Sequence, residues 1–146
     1  MSTKVQEAVS LFDQGYNCSQ AIVATYGPQF GIDREAALKV SCGFGGGMRM
    51  AETCGAVTGA LMVLGLMHAS SDSADKGAKQ RTYELVTEFA ERFRIRNGSV
   101  ICKELLGCDL STPEGFASAK EKNLFNSVCP KMVRSAGELL EEMEVP

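Results

Sequence analysis

Residues 53–96 read TCGAVTGALMVLGLMHASSDSADKGAKQRTYELVTEFAERFRIR, and their pattern is that of two helices joined by a polar turn. Thr53 is a good N-cap for a long apolar helix running from Cys54 to about Ser70. Ser71 to Ser73 supply the turn, and Asp72 or Ser73 can cap a second, amphipathic helix that reaches about Arg96. Tyr83, Val86, Phe89, Ala90 and Phe93 recur along it as the predicted buried stripe. The apolar run from Cys54 to Met67 is shorter than the roughly 18–20 residues needed to cross a bilayer, so no membrane insertion is expected.

The same periodicity extends to both sides. Val5, Ala8, Val9 and Phe12 mark a first helix stopped at Gly15, and Asn17 caps a second that holds Cys18, Ala21, Ile22 and Thr25 and ends at Gly27-Pro28. Asp33 caps a third through Val40, after which Gly43-Phe44-Gly45-Gly46-Gly47 interrupts the pattern. Beyond the stop at Asn97-Gly98, Ser99 can cap a short helix with Cys102, Leu105 and Leu106. Thr112-Pro113-Glu114 then gives a cap, an N1 proline and a first-turn acid. A last helix starts near Ser127 to Pro130 and continues through Leu140. No alternating pattern, internal repeat or linker breaks the series. The expectation is an all-α fold: one domain over residues 1–146 with about seven or eight helices.

Composition removes several function classes. A net charge of −3 over 146 residues is wrong for a nucleic-acid partner, which needs a basic stripe, and gives no attraction to anionic lipid. The first residues, MSTKVQEAVSLFDQG, carry acids and amides where a secretory leader would be apolar, so a cytoplasmic location is expected. In that reducing setting six cysteines read as metal ligands or redox thiols rather than as a structural disulfide framework, or else as small buried hydrophobes.

Their placement follows the caps. Cys18 follows Asn17, Cys54 follows Thr53, Cys102 lies three residues after Ser99, and Cys129 stands beside Pro130. Each is thus predicted in the first turn of a different helix. Unpaired backbone N–H groups and the positive end of the helix dipole there favour thiolate over thiol. No C-x-x-C occurs, so neither a thioredoxin-type dithiol nor a zinc ribbon is encoded locally. Any shared site must be assembled by the tertiary fold.

Gly45-Gly46-Gly47-Met48, followed by Thr53-Cys54-Gly55-Ala56-Val57-Thr58-Gly59-Ala60, resembles the redox-active protein family C_GCAxxG_C_C. The family name writes Gly-Cys-Ala where this chain reads Cys54-Gly55-Ala56. Gly15-Tyr16-Asn17-Cys18-Ser19-Gln20-Ala21 resembles the family's N-terminal cysteine segment. Cys102-Lys103-Glu104-Leu105-Leu106-Gly107 and Asn126-Ser127-Val128-Cys129-Pro130 resemble its later ones. The resemblance covers essentially the whole chain and implies that Cys18, Cys54, Cys102 and Cys129 are the functional cysteines, the same set that the capping pattern selects. Cys42 and Cys108 are extras, with Cys108 the better placed to join a site. The resemblance implies redox activity without naming a reaction, and it makes an iron–sulfur centre an expectation.

Three readings of that set stand. The four thiolates can ligate an iron–sulfur cluster, or a tetrahedral zinc. They can instead act pairwise as a thiol–disulfide couple, with Cys54 the low-pKa attacking thiol and Cys18 its candidate partner. Or the protein is a helical interaction module with structural cysteines. Gly55 and Gly59, one turn apart, either let a backbone approach a cofactor or allow close helix packing. The glycine run is expected to form a tight turn or lid over the cysteines. His68 reads as a C-terminal helix residue rather than a ligand. Arg81, Arg92, Arg94 and Arg96 read as a solvated face, with docking of an acidic redox partner as the alternative. An unidentified redox partner is implied, and a site completed across a homodimer is compatible with the sequence.

Overall fold

The computed structural model describes residues 1–146. Helices α1 (Thr3–Asp13), α2 (Cys18–Tyr26), α3 (Arg34–Val40), α4 (Gly55–His68), α5 (Lys76–Asn97), α6 (Cys102–Leu106), α7 (Pro113–Glu121), α8 (Leu124–Ser127) and α9 (Cys129–Glu142) follow in order. Eight of them have five residues or more and α8 is a single turn, so the all-α expectation holds. The one piece of β-type pairing is an isolated antiparallel bridge between Thr53 and Ile101. No helix is long and apolar enough to cross a membrane.

Capping oxygens set five of the helix starts. Ser2, Asn17, Asp33, Asp75 and Thr112 each accept from the backbone N–H three residues on. Asn17 and Gln20 form a reciprocal capping box at the start of α2, with both bonds at 2.9 Å. Three predicted caps move. Asp75 rather than Asp72 or Ser73 starts α5, because the Asp72 carboxylate is taken by the Ala74 N–H inside the preceding turn. Thr53 lies in the bridge, which leaves Cys54 itself as the N-cap of α4. Ser99 accepts from the Ile101 N–H two residues on and donates to Glu104, so α6 starts at Cys102 behind a loop residue, Ile101.

The main core is built around α2 and α4. Ile22, Val23 and Tyr26 of α2 meet Val57, Val63 and Leu64 of α4, with Phe89 and Phe93 of α5 and Leu139 and Leu140 of α9 closing the sides. Each such side chain contributes roughly 1.5–3 kcal/mol on burial. On α5 the buried stripe is Leu85, Phe89 and Phe93. Tyr83 is 57% exposed, contrary to the predicted stripe, because it lies two residues, about 200°, round the helix from Leu85. It lies under the Lys79 ammonium instead. The arginines of α5 form the solvated face, ion-paired to carboxylates: Arg81 to Glu84, Arg92 to Glu88, Arg94 to Glu91 and Arg96 to Glu142 of α9. A second, smaller core joins Cys102, Leu106, Cys108, Leu110 and Ala119 beneath α7 and α8.

Gly59 decides how closely α2 and α4 approach. A Cβ there would stand 3.0 Å from the Ser19 carbonyl oxygen and 3.2 Å from Ile22 Cβ. Gly65, on the same helix, has open space in the Cβ direction. Gly59→Val should therefore lower stability by about 2–3 kcal/mol in urea unfolding, whereas Gly65→Ala should raise it by about 0.5–1 kcal/mol through helix propensity. Equal effects at the two positions would mean that the α2–α4 contact is not under steric control.

Candidate functional site

Between the two cores lies a cavity of about 420 Å³. Cys18, Cys54, Cys102 and Cys129 all line it, and so does Cys42. Four elements far apart in sequence bring the predicted set together. The capping box orients the first turn of α2, and Asn17 Nδ2 donates to the Cys42 carbonyl at 2.9 Å, tying Cys18 to the glycine loop. The bridge at Thr53 and Ile101 sets α4 beside α6: the Cys54 N–H donates to the Val100 carbonyl at 2.8 Å and the Cys102 N–H to that of Glu52 at 2.6 Å. Cys129 opens α9, with Pro130 in the next position, where a missing N–H costs nothing. Cys18, Cys102 and Cys129 thus occupy first helical positions, and Cys54 the cap immediately before one.

Cys54 and Cys102 are buried, Cys18 and Cys129 are partly accessible, and Cys42 is exposed; all are free thiols. Cys108 is also buried but points away from the cavity, its sulfur 3.6 Å from Ser118 Oγ. Of the two extra cysteines, it is Cys42 and not Cys108 that reaches the site. The sequence holds a weak signal for this: Cys42 opens the glycine run, whereas Cys108 falls among the apolar residues that close the small core.

The sulfurs influence one another. Cys18 lies beside both Cys129 and Cys54; the option of donating its single proton to Cys129 or to Cys54, together with burial, holds it well above the usual thiol range. Cys54 is shifted the other way. The bond received from Cys18 favours its thiolate against the cost of burial, and the backbone N–H groups of Ala56 and Val57 at the start of α4 add to it, although the Val57 N–H also donates to the Cys54 carbonyl at 2.9 Å. Cys102 is pushed up to about 12, mainly by burial and then by the charges of Cys54, Cys129 and Asp109. No three cysteine, histidine or acidic side chains converge closely enough to hold a single metal ion.

Gly45, Gly46 and Gly47 form one wall of the cavity, as the glycine run was expected to do. The chain here takes an unforeseen path: Gly46, Gly47, Met48 and Arg49 are successive left-handed residues, with φ between 58° and 63°. For Met48 and Arg49 that conformation costs about 1–2 kcal/mol each. Gly47 cannot be replaced, since a Cβ would stand 2.5 Å from the Glu52 nitrogen and 2.9 Å from Cys102 Cβ. Gly55 lines the cavity, and a Cβ there would stand 3.1 Å from the Ser19 nitrogen and 3.3 Å from Cys18 Cβ, so it serves packing and access together. Gly59 lies deeper, against Ser19, and serves packing. His68 sits at the C-terminal end of α4, remote from the cavity lining.

The family described as "Putative redox-active protein (C_GCAxxG_C_C)" matches residues 16–143, a span that contains every cysteine of the cavity. The chain belongs to this family. The C_GCAxxG_C_C description supports a redox role. No curated protein and no solved structure matches the chain.

The raised Cys102 thiol fixes a pH dependence. In the folded protein Cys102 keeps its proton up to about 12, whereas in the unfolded chain it loses it near its ordinary value of 9.0. Stability from this thiol is therefore complete below pH 9.0 and is lost as the pH rises toward about 12. Cys18 acts in the same sense. Metal-free, reduced protein should show a falling urea midpoint across this window, and Cys102→Ala should flatten the fall. An identical slope in the variant would show that Cys102 ionises normally in the folded state.

Proposed function

We propose that this protein is an electron-transfer module in which Cys18, Cys54, Cys102 and Cys129 hold an iron–sulfur cluster. One observation carries the reading: four cysteines from four different helix starts line a single cavity. A thiol couple needs only two sulfurs, and a single zinc needs its ligands gathered round one point. A cluster spreads four thiolates around a larger inorganic core, which suits sulfurs distributed over a cavity wall. When bound, it would supply one-electron transfer.

The chain's own residues favour such an anionic group. The starts of α2, α4 and α9 direct unpaired N–H groups and positive dipole ends toward the sulfurs, and the shorter α6 adds a lesser contribution. The backbone of Gly45 to Gly47 lies close to the sulfurs because it carries no side chains. Phe12, Leu105, Leu110 and Met132 give the remaining wall an apolar character that limits water. Protein purified without oxygen should contain iron and acid-labile sulfide in similar amounts and absorb broadly in the visible. Cys54→Ser and Cys102→Ser should abolish that absorbance while Cys108→Ser keeps it. Colourless, iron-free protein after cluster reconstitution would sink the proposal.

The Cys18–Cys54 contact favours a second reading, thiol–disulfide exchange. Cys54 thiolate would attack a disulfide, expelling one thiolate and forming a mixed disulfide. Cys18 would then attack the Cys54 sulfur, releasing the second thiolate, which takes up the Cys18 proton. The substrate gains two electrons and the protein keeps a Cys18–Cys54 disulfide. Mild oxidation of metal-free protein, followed by peptide mapping, separates the readings: a Cys18–Cys54 link formed reversibly by a protein that takes up no iron would favour exchange.

A further inference from the structure

The cysteine cavity has one charged side chain in its lining, Arg49, and no carboxylate or histidine. Arg49 belongs to the left-handed segment and extends back over Gly46; a Cβ on that glycine would stand 3.6 Å from both Arg49 Cδ and Nη1, and 3.7 Å from Leu110 Cδ1. The guanidinium then lies 5.6 Å from the centre of the Phe116 ring, which packs against Phe125. Arg49, like Arg34 on the distant α3, has no acidic partner, whereas Arg81, Arg92, Arg94, Arg96 and Arg134 are all ion-paired. A stacked cation over an apolar cavity, with three longer helix starts behind it, is an arrangement for drawing in negative charge.

We infer that the mouth of this cavity captures a small organic anion, with Arg49 holding its carboxylate or like group and Phe116 covering its apolar part. The inference deepens the redox reading by naming the class of molecule that reaches the sulfurs. It also fails separately from that reading, because anion capture can be followed through Cys42. This thiol is exposed, lines the same cavity and lies outside the proposed ligand set, so it reports whether or not iron is present.

Iodoacetate and iodoacetamide are close in size and differ in charge, and either forms a thioether with displacement of iodide. In the full-length protein, the iodoacetate-to-iodoacetamide rate ratio at Cys42, read by peptide mass, should exceed that of the urea-unfolded chain by about fivefold. Arg49→Gln should bring the ratio back to the unfolded value, and Arg49→Lys should keep most of it. In wild-type protein, sodium propionate should slow iodoacetate selectively and saturably, beyond the effect of sodium chloride at equal ionic strength. A ratio equal to that of the unfolded chain would overturn the inference. So would an unchanged ratio in a folded Arg49→Gln variant, or propionate acting no differently from chloride.

Discussion

Helices α2 and α4 approach so closely that the Ser19 backbone occupies the space where side chains of α4 would otherwise stand. Gly55 and Gly59 make this possible, and the site depends on it. With the two helices in near backbone contact, the start of α2 lies beside the start of α4 and the thiols at those starts meet. A larger residue at either position would separate Cys18 from Cys54 before it altered any sulfur. The glycine interval in this family motif therefore acts through packing, and the cysteine beside it benefits from the geometry that packing imposes.

The remaining cysteines are delivered by weaker connections. One antiparallel bridge sets the α6 start next to the α4 start, and the small core under α7 and α8 carries Cys129 to the far wall. The cavity falls at the seam between two hydrophobic clusters, where packing is interrupted and space survives. The left-handed glycine segment closes another side, and the Glu52 backbone, with Cys102 beside it, explains why Gly47 must lack a side chain. Met48 and Arg49 share this backbone conformation without the freedom of glycine. Their conformational cost is borne by contacts that hold the segment against α6 and the aromatic pair of Phe116 and Phe125.

Electrostatics and burial pull the thiols in opposite directions. Burial and mutual proximity keep Cys18 and Cys102 protonated, while helix N-termini and the proton donated by Cys18 favour charge on Cys54. A group of thiols in one water-poor space cannot all ionise unless positive charge compensates them. Helix ends provide part of that compensation. Arg49 is the only formal charge at the cavity, and in the proposed cluster the iron would provide the rest.

The sequence by itself determined the helices and the residues at their starts. Apolar periodicity, Asn17, Asp33 and Thr112 as caps, and the Gly and Pro stops are local signals, acting within a few residues, so they are legible without a fold. That is why Cys18, Cys54, Cys102 and Cys129 stand out in the chain as cysteines near helix starts. Where capping competed with a tertiary contact, as at Thr53 in its bridge and Ser99 in its turn, the local reading moved by a residue or more. Only the tertiary structure decided that these cysteines share one cavity, that Cys42 joins them and Cys108 does not, and that Arg49 lies at the mouth. Those relations depend on two helices in near backbone contact, a single long-range bridge and a left-handed turn, none of which leaves a periodic trace in the chain.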